Sequence, residues 1–192
     1  MSIKSWISTV QISRRARLLQ SPDLAFPGVL ANARSVLICL PRGLRELTLV
    51  KQFLPQIRDI FRSAQITLLS LPGVIVNDIY PRKGFQILTP TLDQTTWTGL
   101  PKASYLKLLE DYRFDLVLDM NLESTPFTCG VLLSLPAAVR VGRGNHLGQP
   151  FYNVEIKTRY LRDERNIYRS LVNTLEVIKQ SADRPAGGAT LN

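Results

Sequence analysis

Histidine and cysteine are scarce in this chain. Among its 192 residues there is one histidine, and there are two cysteines, Cys39 and Cys129. Each cysteine lies in or beside an apolar run, with no histidine or second cysteine at ligand spacing, which argues against a zinc site and a disulfide framework. We therefore expect two buried free thiols, and we predict neither a metal nor a cofactor.

Long apolar runs are missing as well. The longest are far short of the ~20 residues that a helix needs to cross a bilayer. The N-terminus carries its charge after its apolar part and has no small-residue cleavage site, so a secretory signal is not indicated. These features predict a cytoplasmic protein with ordinary globular composition, 45% hydrophobic and 20% charged.

The motifs of several enzyme classes do not occur. The loop G-R-G-N-H-L-G (142–148) lacks the Gly-Lys-Ser/Thr ending of a P-loop, and no dinucleotide-binding Gly-x-Gly-x-x-Gly is found. The single histidine, His146, has no serine or cysteine motif around it, so a nucleophilic triad is not supported.

Positive charge, by contrast, is abundant: lysine and arginine number 24 against 15 acidic residues, a formal net charge of +9. A basic balance favours an anionic partner. Because the basic residues are dispersed and no nucleic-acid motif occurs, we predict a phosphate-rich ligand or a membrane surface and no nucleic acid. Arg140, Arg143 and His146 straddle the Gly-rich loop, which either binds phosphate or is a mobile surface loop.

The N-terminal segment has its own pattern. Ile3, Trp6, Ile7 and Val10 recur at helical spacing within residues 2–20, and arginines follow. Such a basic amphipathic helix suits peripheral contact with an anionic membrane, here the inner membrane face. The alternative is a helix packed on its own domain. Breaks around Pro22 and Pro27 define an N-terminal helix and linker over 1–33.

Apolar runs and helical patterns then alternate along the chain. Strands are predicted at 35–41, 66–72, 85–90, 114–120, 138–142 and, shorter, 154–157, and helices at 46–63, 104–112, 124–135 and 162–180. This alternation predicts a parallel sheet with flanking helices and right-handed crossovers. We predict one Rossmann-like α/β domain over 34–181 and a flexible tail over 182–192.

Ligands of such sheets bind beyond the carboxyl ends of the strands. The candidate site residues that follow strand ends are Arg42, Gly43, Asp119, Asn121 and Arg143. The acid and the amide suit sugar hydroxyls, or else serve as capping and turn residues.

Three segments also share their order and spacing with a known family. They are S-V-L-I-C-L-P-R-G-L-R-E-L (35–47), F-D-L-V-L-D-M-N (114–121) and R-D-E-R-N-I (162–167). Together they resemble the N-terminal half of glycosyltransferase family 9, the heptosyltransferases of lipopolysaccharide assembly and their relatives. The resemblance covers roughly residues 34–180 and implies a Rossmann-like domain like the first half of a two-domain glycosyltransferase.

The resemblance also implies roles for individual residues. Where the family has Gly-Asp, with Asp as general base, this chain has Arg45-Glu46. Glu46 is therefore the candidate catalytic base, and its alternative is a first-turn acid favoured by the helix dipole. The acceptor-binding candidates are Arg42, Gly43, Arg45, Asp119, Asn121 and Arg143. Arg42 and Arg45 flank Gly43 near a helix N-terminus, where they either hold an anion or are solvated loop charges.

Family members hold the nucleotide-sugar mainly in a second half, and this chain resembles only the first. The resemblance thus implies an acceptor-half domain for a sugar or lipid-linked glycan, inactive alone and receiving a nucleotide-sugar through a partner chain. The alternative is a non-catalytic module that binds glycan, membrane or a partner.

Overall fold

The computed structural model describes residues 3–18, 28–80, 83–135, 138–144 and 147–183. Its strands are β1 (Ser35–Cys39), β2 (Gln65–Leu69), β3 (Gln86–Leu88), β4 (Leu116–Asp119), β5 (Val139–Arg143) and β6 (Val154–Ile156). Its α-helices are α1 (Ile3–Leu18), α2 (Gly28–Ala31), α3 (Leu44–Ile60), α4 (Ala103–Asp111), α5 (Pro126–Ser134) and α6 (Glu164–Asp183). A 3₁₀ turn spans Leu92–Gln94.

The six strands form one parallel sheet in the order β3-β2-β1-β4-β5-β6. Leu37 in β1 lies between Thr67 of β2 and Val117 of β4. Strands β2 and β3 lie on one side of β1, and β4, β5 and β6, which come later in the chain, lie on its other side. This reversal creates a crevice between the carboxyl ends of β1 and β4, the usual position of a ligand site in this fold class. The predicted Rossmann-like parallel sheet is confirmed.

Both faces of the sheet are covered, which explains why its strands are apolar without interruption. Side chains of β1 alternate between two cores. Val36 and Ile38 belong to the core under α3 and α6, whereas Leu37 and Cys39 belong to the core under α4 and α5. The central strands are therefore anchored from both sides, and the loops at their ends are held on a rigid base.

Helix α5 is apolar all round, with the sequence P-F-T-C-G-V-L-L-S, and seven of its nine residues are buried. A helix of that kind needs cover on more than one side. The sheet covers one side of α5, and α1 packs on it as well. Within α1, Ser8 is buried, whereas Trp6 is 61% and Val10 46% exposed. Two of the apolar positions that predicted a membrane-facing stripe, Trp6 and Val10, are thus exposed and not buried in the domain.

Helix boundaries differ slightly from those predicted. α3 begins at Leu44, because Gly43 adopts the extended backbone of an N-cap. α6 begins at Glu164, because the Asp163 carboxylate accepts a hydrogen bond from the Asn166 backbone N–H at 3.1 Å.

Some of the sequence predictions concern residues that the structure does not describe. The break around Pro22 and Pro27, His146 and residues 184–192 lie outside the described residues. In the part of the chain that the structure describes, no helix is long and apolar enough to cross a membrane.

Candidate functional site: a cleft between the first and fourth strands

A cleft of about 280 Å³ lies where the strand order reverses. The loop after β1 and the start of α3 form one wall, and the loop after β4 forms the other. The lining residues are Arg42, Glu46, Asn121, Leu122, Glu123, Ser124, Thr125 and Pro126. Three of the residues predicted from sequence, Arg42, Glu46 and Asn121, are brought together here.

Glu46 lies in the first turn of α3, and its carboxylate turns back toward the start of the helix. Oε2 accepts a hydrogen bond from the Gly43 backbone N–H at 3.3 Å. Burial raises the pKa of Glu46, the Gly43 N–H lowers it, and the nearby Glu164 and Glu123 carboxylates raise it further. The net effect is upward, so Glu46 holds a proton more readily than an ordinary glutamate. A carboxyl group in this setting can exchange a proton with a hydroxyl brought into the cleft.

The sequence suggested an anion at the N-terminus of α3, and in the structure the Glu46 carboxylate itself takes that position. Gly43 supplies the N–H, and a Cβ on Gly43 would lie 3.0 Å from Glu46 Oε2, so the absence of a side chain leaves room for the contact. Arg45 is occupied elsewhere: its Nε lies 3.0 Å from Oε2 of Glu164 at the start of α6. Because the Arg45 side chain is 81% exposed, this ion pair adds little to stability. Arg42 is exposed at the cleft and is the cation available to a ligand there.

Asp119 and Asn121 form a buried network behind the cleft. They are 1% and 3% exposed. Oδ1 of Asp119 accepts hydrogen bonds from the backbone N–H of Asn121 at 3.0 Å and from its Nδ2 at 2.7 Å. Oδ2 accepts from the Tyr152 hydroxyl at 2.7 Å. The carboxylate is therefore used to fix the loop after β4, and of the two residues it is Asn121 that lines the cleft.

Tyr152 was not predicted as part of the site. It reaches Asp119 because Gly142 in β5 leaves space for its ring: a Cβ on Gly142 would lie 2.2 Å from the ring. Burial and the Asp119 carboxylate raise the pKa of the Tyr152 hydroxyl, which therefore stays a hydrogen-bond donor. A glycine inside a strand is the sequence signal for such a close approach, although it does not identify the approaching side chain.

The helix after the cleft is capped by another residue. Oγ1 of Thr125 accepts from the Thr128 backbone N–H at 3.1 Å, and Pro126 occupies the first helical turn. Asp119 and Asn121 are thus not the caps of α5. Thr125 sets the position of the cleft wall.

Arg140 and Arg143 take different roles from those of a phosphate-binding pair. Arg140 is fully buried, and its guanidinium donates to the carbonyls of Leu135, Pro150 and Phe151 at 2.9–3.1 Å. Burial lowers its pKa. Arg143 ends β5, is half-buried and does not line the cleft. Among the described residues, no group of three or more His, Cys, Asp or Glu side chains could hold a metal ion.

The fold is that of a Rossmann-like α/β domain with a polar cleft at the switch point of its sheet. It is similar to the solved structure of E. coli heptosyltransferase WaaC with ADP, at 13% identity and a TM-score of 0.57, over 80% of this chain and 49% of that chain. It is also similar to a glycosyl transferase family 9 structure from Veillonella parvula, at 15% identity and a TM-score of 0.55, over 74% of this chain and 41% of that chain.

This likeness confirms the fold that the sequence resemblance implied. The chain spans about half the length of these solved glycosyltransferases. No protein-family model matches the chain, and no curated protein matches it in sequence.

Proposed function

We propose that this chain is the acceptor-binding half of a glycosyltransferase of the family 9 type. It acts in the cytoplasm at the inner membrane face, in lipopolysaccharide or another cell-surface glycan assembly. Its ligand is a sugar or a lipid-linked glycan, and a partner chain supplies the nucleotide-sugar. The observation that carries the proposal is the position of the Glu46 carboxylate in a polar cleft between β1 and β4, in a sheet similar to that of heptosyltransferases.

The cleft has the chemistry that a saccharide needs. Arg42 and Asn121 contribute donors, Glu46 and Glu123 contribute carboxylate acceptors, and Ser124 adds a hydroxyl. Sugar hydroxyls donate and accept at once, so a cleft that mixes both kinds of group suits them. Its modest volume of about 280 Å³ fits one sugar ring or the end of a glycan rather than a complete nucleotide-sugar.

Binding can be tested by NMR titration of the chain with lipopolysaccharide core oligosaccharides. We expect saturable shift changes in the amides of residues 42–46 and 121–125, and weaker binding by Arg42→Gln. Lys51→Gln, an exposed change further along α3, is the matched control and should bind as the wild type does. Shift changes that avoid both segments would contradict the assignment of the cleft.

The donor side needs a separate experiment. Titrations with ADP-, UDP- and GDP-sugars should give no saturable heat with this chain alone, because the cleft is small and the donor is held by the partner. When the chain is mixed with a donor half, sugar transfer should appear, and Glu46→Gln should lower it by roughly 100-fold. Unchanged transfer by Glu46→Gln would show that the base assignment is wrong.

A second candidate function is a non-catalytic module that binds a glycan, a membrane or a partner enzyme. One observation favours it: the Glu46 carboxylate already accepts the Gly43 N–H as part of a helix cap. A module of this kind would bind oligosaccharide at the same cleft but would show no transfer with any donor half.

A further inference from the structure

A second groove, of about 480 Å³, lies between the segment after β6 and the outer face of α6. Its lining residues are Lys157, Thr158, Arg159, Tyr160, Asn166, Arg169, Ser170, Asn173, Thr174 and Val177. It shares none of them with the cleft beside Glu46. Three are cationic, six have neutral polar side chains, and the described residues that line the groove include no carboxylate.

Each of the three exposed cationic side chains contacts a neighbouring residue. The Arg159 guanidinium lies over the Tyr160 ring, 5.7 Å from its centroid. Arg169 donates from Nη1 to Oδ1 of Asn166 at 2.8 Å. The stem of Lys157 crosses Gly144, where a Cβ would lie 2.9 Å from Lys157 Cγ.

None of these anchors neutralises a charge, since a ring, an amide and a glycine are all uncharged. Within the described residues, no carboxylate lies within ion-pair distance of Lys157, Arg159 or Arg169. The groove therefore gathers positive charge, and the contacts of Arg159 and Arg169 partly order two of its three charged groups before any ligand binds, which lowers the entropy lost on binding.

We propose that this groove binds the phosphate of a phosphorylated ligand. Guanidinium groups match phosphate oxygens with paired N–H donors, and an ammonium adds a point charge. The hydroxyls and amides of Ser170 and Asn173 suit the remaining oxygens. The volume exceeds that of a single phosphate and falls in the range of small-molecule sites, so the phosphate is one end of a larger polar group, either a soluble phosphate ester or a lipid headgroup.

The first measurement is calorimetric titration of the full chain with inorganic pyrophosphate. We expect saturable binding that weakens as salt is added. The double variant Arg159→Gln/Arg169→Gln should lose roughly tenfold or more in affinity, because each change removes a charge-assisted hydrogen bond. The double variant Arg162→Gln/Arg165→Gln is the matched control: it removes the same charge from the same loop and helix at exposed positions that do not line the groove.

Tyr160→Leu tests the positioning role of the ring. It keeps every charge in the groove and should weaken pyrophosphate binding by less than the double variant does. Circular dichroism and thermal melting check that each variant is folded.

Vesicles distinguish the two sources of phosphate. The chain is sedimented with phosphatidylcholine vesicles, with and without phosphatidic acid. Binding that requires phosphatidic acid, is displaced by pyrophosphate and is lost in the Arg159/Arg169 variant assigns a lipid phosphate. Pyrophosphate binding without such a vesicle effect assigns a soluble phosphate ester.

No binding of either probe, or equal binding by the double variant and its control, would overturn the proposal. Because the groove and the cleft share no residue, this outcome is independent of oligosaccharide binding beside Glu46.

Discussion

The Tyr152 hydroxyl donates a 2.7 Å hydrogen bond to Oδ2 of Asp119, and the carboxylate's other oxygen is bonded by Asn121. Tyr152→Phe would leave that buried carboxylate with one donor fewer. We expect a loss of about 1–3 kcal/mol in the free energy of unfolding, measured by urea denaturation. A variant as stable as the wild type would show that the hydrogen bond contributes nothing net.

Gly142 makes that contact possible. Gly142→Ala would place a methyl group 2.2 Å from the Tyr152 ring and should destabilise the domain by about 1–3 kcal/mol or more. In combination with Tyr152→Ala the clash disappears. We therefore expect the double variant to be less destabilised than the sum of the two single variants. Additive effects in the same denaturation assay would exclude a direct clash.

Arg140 supports the loop that carries Tyr152. Its guanidinium satisfies three backbone carbonyls, including those of Pro150 and Phe151, from a fully buried position. Arg140→Met keeps a long unbranched side chain but removes all three donating nitrogens, and should destabilise the domain by about 3 kcal/mol or more. Arg140→Lys should rescue it only in part, because an ammonium cannot reproduce the planar fork. Full stability in Arg140→Met, measured by thermal and urea unfolding, would contradict this role.

The pKa of Glu46 predicts a pH-dependent effect of Glu46→Gln. Folding raises the pKa of this carboxyl above its ordinary value of 4.5, mainly through burial. The contribution of Glu46 to stability is therefore fully present below pH 4.5 and is lost as the pH rises through the folded-state pKa. Glutamine cannot ionise but can still accept the Gly43 N–H.

The stability of Glu46→Gln relative to the wild type should therefore increase between acidic and neutral pH. Urea denaturation at several pH values measures the difference. A difference that stays constant, or that falls with rising pH, would contradict the upward shift.

Membrane contact by α1 remains a prediction. Because α1 packs on α5, its test should leave α1 in place. Deleting residues 1–20 would uncover the apolar helix α5, so substitutions on α1 are cleaner. Trp6→Ser with Arg14→Gln changes exposed positions and should reduce sedimentation with anionic liposomes. Lys107→Gln on α4 is an exposed control. Equal sedimentation by both would show that α1 does not contact the membrane.

Local patterns predicted the elements of the sheet well. β1 was recognisable because Val36–Cys39 are buried on both faces and need no polar alternation. α6 was recognisable because Ile167, Leu171 and Leu175 recur on its buried side. These features depend on neighbouring residues in the chain, so a single sequence contains them.

The site was less predictable, because its contacts join distant parts of the chain. The position of Asp119 at a strand end was evident, but its partner Tyr152 lies 33 residues later. The sequence around Arg140 suggested a phosphate ligand, whereas in the structure its guanidinium donates to three backbone carbonyls. The sequence shows which hydrogen bonds a charged side chain is able to make. Which group it actually bonds depends on the loops that the fold brings next to it.

The two outermost strands of the sheet, β3 and β6, are only three residues long. An exposed strand edge is a template on which another chain can add a strand, and the size of that template grows with strand length. Here each border offers few unpaired backbone groups, and Lys157 follows directly after β6. Short edge strands therefore leave little backbone on which the sheet of one molecule could extend into the next.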